Sequence, residues 1–321
     1  MTTLRLGTRG SELALFQART TAALLKTRAG VECAITIIKT SGDRLADASL
    51  SEIGGKRLFV KEIEDSLLAG EIDLAVHSSK DLPAVLPSGL TIAAVLPRED
   101  PRDAVVLPTG RTASTLDEVQ RLLGSAPRIG TSSVRRIAQL MRLFPGARFQ
   151  PIRGNLDTRL RKLDGGDYDA LILAAAGLRR LQHEHRISTA LPADACVPAP
   201  GQGIIAIEIR NDDAETRERV LTINDQVSGA ALAAERALVS RLGGGCQMPI
   251  GAYASVSGDT LHLAGIVIAL DGSREARATA AGSVATPEAL GMLVADALLA
   301  GGADTILADA RRVSHETSEQ P

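Results

Sequence analysis

Short apolar runs alternate with longer amphipathic segments along the first 175 of the chain's 321 residues. Short runs bounded by turn residues are typical of β-strands, whereas longer segments with apolar residues three and four positions apart are typical of helices. In chain order the elements predicted first are 4–7 (strand), 13–25 (helix), 31–38 (strand), 59–68 (helix), 74–76 (strand) and 92–95 (strand). This order is typical of βαβ units, in which helices connect parallel strands.

The same alternation resumes after a turn-rich segment at residues 97–102, which contains two prolines. The elements predicted next are 104–107 (strand), 116–123 (helix), 128–129 (strand), 134–144 (helix), 147–152 (strand), 156–163 (helix) and 170–175 (strand). The repetition predicts two doubly wound α/β lobes joined by a short hinge.

The pattern changes in the last third of the chain. A strand is predicted at 204–209 and a linker near 224–225, followed by an alanine-rich helix, three strand-like stretches and a last helix, at 229–242, 250–256, 261–269, 276–280 and 287–299. These elements predict a small C-terminal α+β domain. Residues 41–56, by contrast, are rich in Gly, Ser and Asp with few apolar residues, and they predict a mobile loop near the active site.

The two predicted lobes share a local motif. Residues 6–14 and 129–138 each run from a strand through Gly-Thr to a serine, Ser11 or Ser133, that is able to cap the next helix. Each motif places the N–H groups of a helix at the carboxyl edge of a sheet, where open α/β sheets bind ligands. Ordinary capping explains either copy alone, but the doubled copy with arginines beside it favours an anion held between the lobes.

Charge is distributed unevenly along the chain. The net charge is −2, yet residues 121–186 contain thirteen Arg or Lys and five Asp or Glu, which gives this segment a charge of +8. Only six of the thirty-six cations are lysines, and arginine favours bidentate pairing with carboxylates and phosphates. Aromatic residues make up 2% of the chain and there is no tryptophan, so few side chains are available to stack on nucleic-acid bases.

Composition also narrows the class of protein. No apolar run approaches the length of a bilayer span, and the first residues lack the apolar stretch of a signal peptide, so we expect a cytoplasmic protein without membrane contact. The three cysteines, Cys33, Cys196 and Cys246, are widely spaced and lack histidines at metal-ligand spacing. We therefore expect reduced thiols, with neither a disulfide nor a bound metal.

Polar residues follow the predicted strand at 74–76 directly. Lys80 and Asp81 lie at its carboxyl end, the edge at which this architecture binds ligands, and His77 precedes them. A solvated Lys-Asp turn and a buried core histidine are the structural alternatives. If a cleft shields Asp81, its carboxylate is able to bind N–H groups or transfer protons.

Arginines cluster at four places in the second lobe, close to predicted strand ends or helix starts. They are Arg135 with Arg136, Arg153, Arg159, and Arg179 with Arg180. Two adjacent arginines on a helix point in different directions, so we expect Arg135 and Arg136 to contact different partners. A solvated helix face explains any one of these sites, whereas the whole set predicts a ligand with many carboxylates.

Cys246 lies between a run of glycines and a proline, in the loop after the predicted helix at 229–242. The glycines remove side chains that would crowd the sulfur, and Pro249 restricts the following backbone, so the thiol is suited to carry a bulky group. The alternative is an inert thiol in a loop whose glycines end the helix.

Together these motifs resemble those of the porphobilinogen deaminase family. The resemblance extends over nearly the whole chain, in the segments 7–11, 77–81, 130–136, 153–155, 158–159, 200–203 and 244–251. It implies three domains, two of them similar to the lobes of periplasmic binding proteins. The implied divisions are residues 1–98 plus 203–222, the arginine-rich 99–202, and 225–321, which carries the cysteine.

The resemblance also implies a chemistry that needs these residue types. Members of this family join four porphobilinogen molecules head to tail, with loss of ammonia, into the linear tetrapyrrole hydroxymethylbilane. The reaction starts on a dipyrromethane cofactor held to a cysteine by a thioether, here Cys246. Each pyrrole carries two carboxylates, which accounts for an arginine-rich cleft. A monomer that binds no nucleic acid is implied as well.

Site residues follow position by position from the resemblance. Asp81 would be the catalytic residue, contacting pyrrole N–H groups of cofactor and substrate and stabilising the cationic azafulvene left when ammonia departs. The implied cofactor contacts are Lys80, Asp81, Ser133, Arg135, Arg136 and Arg159, and the substrate contacts are Arg9, Ser11, Arg153, Arg159 and Arg180. Further residues implied to line the cleft are Gln17, Phe59, His77, Asn155 and Gln202.

Two positions depart from the family pattern. Arg57 stands where glycine is common, and Gly243 stands where an acidic residue is frequent. Both positions are predicted to lie in loops, so only loop mobility and the pacing of elongation are in doubt.

Two other hypotheses come from different classes of protein. The paired Gly-Thr motifs suit a two-lobed small-anion-binding protein, and the basic segment suits a nucleic-acid-binding module.

Overall fold

The first lobe contains a five-stranded sheet with helices on both faces. A computed structural model describes residues 3–41, 60–244 and 248–318, with side chains up to residue 313. The elements of the lobe are β1 (Leu4–Thr8), α1 (Glu12–Ala29), β2 (Cys33–Ile37), α2 (Lys61–Leu68), β3 (Leu74–Ser78) and β4 (Leu90–Val95), together with β10 (Ile205–Arg210) and α7 (Ala214–Leu221) from later in the chain. The strand order is β2-β1-β3-β10-β4, in which β10 is antiparallel to both of its neighbours.

The second lobe repeats this arrangement. Its elements are β5 (Asp103–Val106), α3 (Leu116–Leu123), β6 (Arg128–Gly130), α4 (Val134–Leu143), β7 (Arg148–Gln150), α5 (Leu156–Asp164), β8 (Ala170–Ala174), α6 (Ala175–Arg180) and β9 (Thr189–Ala190). The strand order is β7-β6-β8-β5-β9, with β5 antiparallel to its neighbours. In each lobe the strand that leads into the Gly-Thr motif, β1 or β6, lies between two parallel strands, so the helix after it starts at the carboxyl edge of the sheet.

The chain crosses between the lobes twice, and the two crossing segments lie side by side. The backbone N–H of Glu99, in the first crossing, donates to the carbonyl of Gly203, in the second, at 3.0 Å. Gly203 has a φ of 89°, and a Cβ at this position would lie 2.3 Å from the Glu99 carbonyl oxygen, so only glycine permits this close approach. The hinge is therefore a hydrogen-bonded pair of segments.

The third domain packs two helices on a three-stranded antiparallel sheet. Its elements are α8 (Gln226–Arg241), β11 (Ile250–Ser257), β12 (Thr260–Ile268), β13 (Glu275–Ser283), α9 (Pro287–Ala300) and α10 (Ala303–Ser318). Leu238, Leu263 and Leu298 belong to its buried core. The buried carboxylate of Glu235 on α8 accepts hydrogen bonds from Arg98 and from the backbone N–H of Gly201, at 2.6 Å each. These bonds tie the third domain to both crossing segments.

The predicted fold class is confirmed: the chain forms two α/β lobes and a small C-terminal α+β domain. Sequence analysis did not predict β9 or the helices α6, α7 and α10. In α7 the reason is its polar sequence, in which Thr216 and Val220 are the only buried residues. The predicted loop at 41–56 lies, apart from Ser41, outside the described residues, and the domain limits stay a prediction.

The described part of the chain contains no single helix long and apolar enough to cross a bilayer. Only α9 and α10 taken together reach the required length and composition, and they are bent by 81°.

Candidate active site

A small cavity opens where the carboxyl ends of β1 and β3 meet the start of α1. Its volume is about 60 Å³. The polar side chains that line it are those of Arg9, Ser11, Gln17, His77, Ser78 and Asp81. Ser11 caps α1 by accepting a hydrogen bond from the Ala14 N–H, and Asp81 ends a turn of 3-10 helix that follows β3. The capped helix and the strand end bring predicted cofactor and substrate contacts to one place.

Two side-chain pairs of the first lobe involve residues that line this cavity, one joined by a hydrogen bond and the other at an ion-pair distance. The buried amide of Gln17 donates to the Ser78 hydroxyl at 2.8 Å. His77 is also buried, and its Nε2 lies 3.0 Å from a carboxylate oxygen of Glu208 on β10. Two of the side chains predicted to line the cleft therefore have fixed partners within the first lobe.

Arg135 and Arg136 lie at the start of α4 and are both buried against Asp103, the first residue of β5. Their guanidinium groups approach the two carboxylate oxygens at 2.8 Å and 2.7 Å. The expectation that adjacent arginines contact different partners is wrong here. Both side chains are long enough to converge on one carboxylate, although their Cα–Cβ bonds point in different directions.

The Asp103 carboxylate partly compensates the two buried guanidinium groups beside it. Burial alone would raise the pKa of the Asp103 carboxyl, but the two guanidinium groups outweigh it and hold this pKa well below its usual range. Gln202 donates to the same carboxylate at 2.9 Å, and its side-chain oxygen lies 3.4 Å from Nζ of Lys80. Gln202 thus connects the arginine pair of the second lobe to the Lys-Asp turn of the first.

Asp103→Asn should destabilise the protein strongly, because it leaves two buried guanidinium groups without a counter-charge. Breaking a buried ion pair by removing one partner costs about 3–5 kcal/mol, and we expect a loss of this size in the free energy of unfolding. Urea unfolding at neutral pH measures it.

The matched control is Asp296→Asn, which removes the carboxylate from an exposed pair with Arg241. Exposed pairs contribute about 0–1 kcal/mol, so this variant should unfold at nearly the wild-type urea concentration. Equal stability of the two variants would contradict the role given to Asp103.

Three cations of the cleft have no carboxylate within ion-pair distance among the residues of the described ranges: Lys80, Arg159 and Arg180. Burial, and next the charge of Arg136, lower the pKa of Lys80 to about 8. The same two causes lower the pKa of Arg159, and burial lowers that of Arg180 to about 10. The lowered pKa values mean that nearby negative groups do not fully compensate these positive charges. Such incomplete compensation is typical of a site that binds an anion.

Backbone carbonyls hold the two arginines of this set in place. Arg159 donates to the carbonyl of Gly154 at 2.9 Å, and Arg180 donates to that of Gly203 at 2.6 Å. The Asn155 side chain caps α5 by accepting from the Thr158 N–H, so it organises the helix that carries Arg159. Ser133 has the same capping role in α4, and Arg153 is partly buried in the loop before α5.

Cys246 and Phe59 lie outside the described residues, as does Arg57. The loop that contains Cys246 starts after α8 and ends before β11. Gly243, the departure from the family pattern in this loop, has a φ of 61°, and its carbonyl accepts from Arg311 at 3.0 Å. This left-handed residue ends the helix, and a side chain there would be strained.

Sequence analysis missed the acidic residues that organise the site, Asp103, Glu208 and Glu235. Each is separated in sequence from the groups it contacts, and each lies in an apolar strand or an alanine-rich helix without a motif of its own. The one sequence signal that could have identified such a residue is a single acidic side chain within a strongly apolar run, as in Ile205–Arg210. Within the described ranges no three His, Cys, Asp or Glu side chains are grouped as metal ligands would be.

Family models match most of the chain. The model described as porphobilinogen deaminase, dipyromethane cofactor binding domain, matches residues 4–218. The model described as porphobilinogen deaminase, C-terminal domain, matches residues 230–300.

Curated relatives are similar over nearly their full length. The porphobilinogen deaminase of Syntrophotalea carbinolica is 46% identical over 306 residues, covering 95% of each chain. That of Syntrophomonas wolfei is 47% identical over 313 residues, covering 97% of this chain and all of its own.

Among solved structures, a BvgS VFT2 domain of Bordetella pertussis aligns with a TM-score of 0.41 at 17% identity, covering 69% of this chain and 86% of its own. A periplasmic binding protein of Salmonella typhimurium aligns with a TM-score of 0.40 at 13% identity, covering 71% of this chain and 94% of its own.

Proposed function

Because this chain belongs to the porphobilinogen deaminase family, we propose the following assignment of its site to the reaction of that family. The chain is a transferase of porphyrin and heme biosynthesis, which joins four porphobilinogen molecules head to tail into hydroxymethylbilane with loss of ammonia. Its cofactor is dipyrromethane. The alternative of a small-anion-binding protein is not retained, since the family models and relatives support the transferase.

The observation that carries this proposal is the excess of positive charge on partly buried side chains of the cleft. Lys80, Arg159 and Arg180 have lowered pKa values and no ion pair among residues 3–41, 60–244 and 248–318. A pyrrole with acetate and propionate side chains supplies the missing negative charge, and a chain of pyrroles supplies it repeatedly. The residues present therefore fit an anionic dipyrromethane and an anionic substrate.

Cys246 is the proposed attachment point because the other two thiols are poor nucleophiles. Burial, and next the charge of Glu32, raise the pKa of Cys33 to about 11. Burial, and next the charge of Asp103, raise that of Cys196 to about 12. Both therefore remain protonated at neutral pH, whereas bond formation requires a thiolate.

Lys80, Ser133 and Arg159 are proposed to contact the cofactor carboxylates. Arg135 and Arg136 are proposed to contact the same carboxylates, with Asp103 fixing the orientation of both side chains. When bound, dipyrromethane supplies the pyrrole end to which the incoming substrate is joined. The protein in turn holds carboxylates at fixed positions in a partly water-excluded cleft, which orients the reacting carbons.

Asp81 is proposed as the catalytic residue. Asp81 lines the cavity of about 60 Å³, and a carboxylate is able to accept hydrogen bonds from pyrrole N–H groups. It also provides a fixed negative charge beside the positive charge that develops on the substrate as ammonia leaves. Arg9, Ser11, Arg153, Arg159 and Arg180 are proposed to bind the substrate carboxylates, and Gln17, Phe59, His77, Asn155 and Gln202 to line the cleft.

The direct test of the function incubates the purified chain with porphobilinogen. We expect one ammonia released per porphobilinogen consumed, and a product whose mass is that of a linear tetrapyrrole. Absence of ammonia release from protein that carries its cofactor would contradict the assignment.

Lys80 should give cofactor assembly a pH dependence. Because its pKa is lowered to about 8, the ammonium group loses its proton as the pH rises through that value. We expect the rate at which cofactor-free protein gains the mass of dipyrromethane from porphobilinogen to fall over the same range. In Lys80→Arg the positive charge persists to higher pH, so the fall in the assembly rate should occur at a higher pH than in the wild-type protein. A fall at the same pH in both proteins would exclude Lys80 as its cause.

We further propose that the protein is a cytoplasmic monomer that binds neither nucleic acid nor membranes. Light scattering coupled to size-exclusion chromatography tests the oligomeric state, and a mass of twice 33.5 kDa would contradict it.

A further inference from the structure

Glu208 is a fully buried acid at the centre of the first sheet. It lies on β10 between β3 and β4, where Ala206 is opposite His77 and Glu208 is opposite Ala75. Its ion-pair partner among the described residues is His77, with Nε2 of the imidazole 3.0 Å from Oε2. This is an ion-pair distance, although the two groups are not aligned as in a good hydrogen bond.

The pair connects the interior of the lobe to the cavity that contains Asp81. An isolated charge is strongly unfavourable in a protein interior, so the buried Glu208 side chain requires a partner, and the imidazole of His77 is positioned to be that partner. His77 is among the residues that line the cavity, whereas Glu208 is not. A buried carboxylate beside the imidazole of a histidine at a cavity is the arrangement by which a carboxylate supports a histidine as a general base.

The other groups around His77 do not replace Glu208. Arg9 and Asp81 line the same cavity, and the Gln17 and Ser78 side chains are bonded to each other. On α2, Ile63 lines the cavity, and the buried Glu64 follows it. Arg9 and Glu64 have interactions of their own.

The condensation releases a proton that needs an acceptor. The C–N bond of the protonated aminomethyl group breaks, ammonia leaves with the bonding electrons, a C–C bond forms, and the hydrogen on the accepting α-carbon leaves as a proton. If Asp81 took this proton, it would lose the negative charge that faces the developing cation. A separate base keeps Asp81 ionised throughout.

On the basis of the proposed function, we infer that His77 is this base and that Glu208 is the positioning residue behind it. The α-proton passes to Nδ1 of His77, the ring nitrogen that does not face Glu208, and the imidazolium is stabilised by the buried carboxylate. The departing ammonia then takes the proton and leaves as ammonium, which returns the pair to its starting state.

The test follows hydrogen exchange at the free α-carbon of resting holoenzyme, so that no turnover is needed. The cofactor is assembled from porphobilinogen labelled with 13C at the α-carbon, the protein is transferred to D2O, and the decay of the 13C–1H signal is recorded. General acid–base catalysis contributes about 10²–10⁴-fold, so we expect exchange to be slower by at least about 10²-fold in His77→Gln and in Glu208→Gln.

Thr216→Val is the matched control, since it removes a buried hydroxyl from α7 of the same lobe. It should exchange at the wild-type rate. If His77→Gln does not fold or carry the cofactor, the nearly isosteric Glu208→Gln decides the outcome. Wild-type exchange rates in the decisive variant would overturn the inference while leaving the proposed function intact. Absence of covalent dipyrromethane from the wild-type protein would instead contradict the proposed function.

Discussion

Asp81→Asn is expected to lower turnover by at least about 10²-fold while leaving the fold and the cofactor in place. Asparagine is close to aspartate in size and is able to accept a hydrogen bond from a pyrrole N–H, but it has no negative charge. The substrate therefore still binds, whereas the positive charge that develops as ammonia leaves loses its stabilisation. We expect kcat to fall and KM to change little, because the lost interaction acts mainly in the transition state.

Steady-state kinetics of ammonia release, together with the intact mass of each protein, measure this effect. Asp65→Asn is the control: Asp65 is an exposed acid on α2 of the same lobe and pairs with Lys61. It should keep wild-type kinetics. Near-normal turnover of Asp81→Asn with the cofactor bound would remove Asp81 from the catalytic role.

Cys246→Ser is expected to abolish covalent cofactor and, with it, essentially all activity. A serine hydroxyl is a far weaker nucleophile than a thiolate, so the attachment does not form. The wild-type protein should be heavier than its sequence by two porphobilinogens less two ammonias, and the variant should have the sequence mass. Denatured wild-type protein should also colour with acidic dimethylaminobenzaldehyde, which reacts with pyrroles, whereas the variant should not.

Cys33→Ser is the matched control for the cysteine test. Cys33 is a partly buried thiol on β2, and the substitution should leave the added mass unchanged. Added mass that persists in Cys246→Ser, or is lost in Cys33→Ser, would place the attachment elsewhere.

Local signals in the sequence predicted the parts of the site that depend on local structure. Ser11 and Ser133 cap their helices as the Gly-Thr motifs indicated, because capping involves residues only three positions apart. Asp81 lies at a strand's carboxyl end beside a cavity for the same kind of reason. The alternation of apolar runs predicted both lobes because central strands such as β1, β3 and β8 consist mostly of buried residues.

Pairings between distant segments could not be predicted in this way. The partner of Arg135 and Arg136, on α4, is Asp103 on β5, and the partner of His77, on β3, is Glu208 on β10 of the same sheet. Register between such strands is set by the whole sheet, so no short motif contains it. The adjacent arginines show the limit most clearly, since helical geometry indicated divergence and the length of the side chains produced convergence.

The two crossing segments between the lobes limit the motion available during chain growth. Because Glu99 and Gly203 are bonded across them, the two crossings lie at one place, and we expect the lobes to rotate about it rather than to slide past one another. Gln202 lies on this pivot and contacts Lys80 and Asp103, so these groups stay together as the angle changes. Room for each added pyrrole must then come from widening the mouth opposite the pivot, where a small rotation gives the largest displacement.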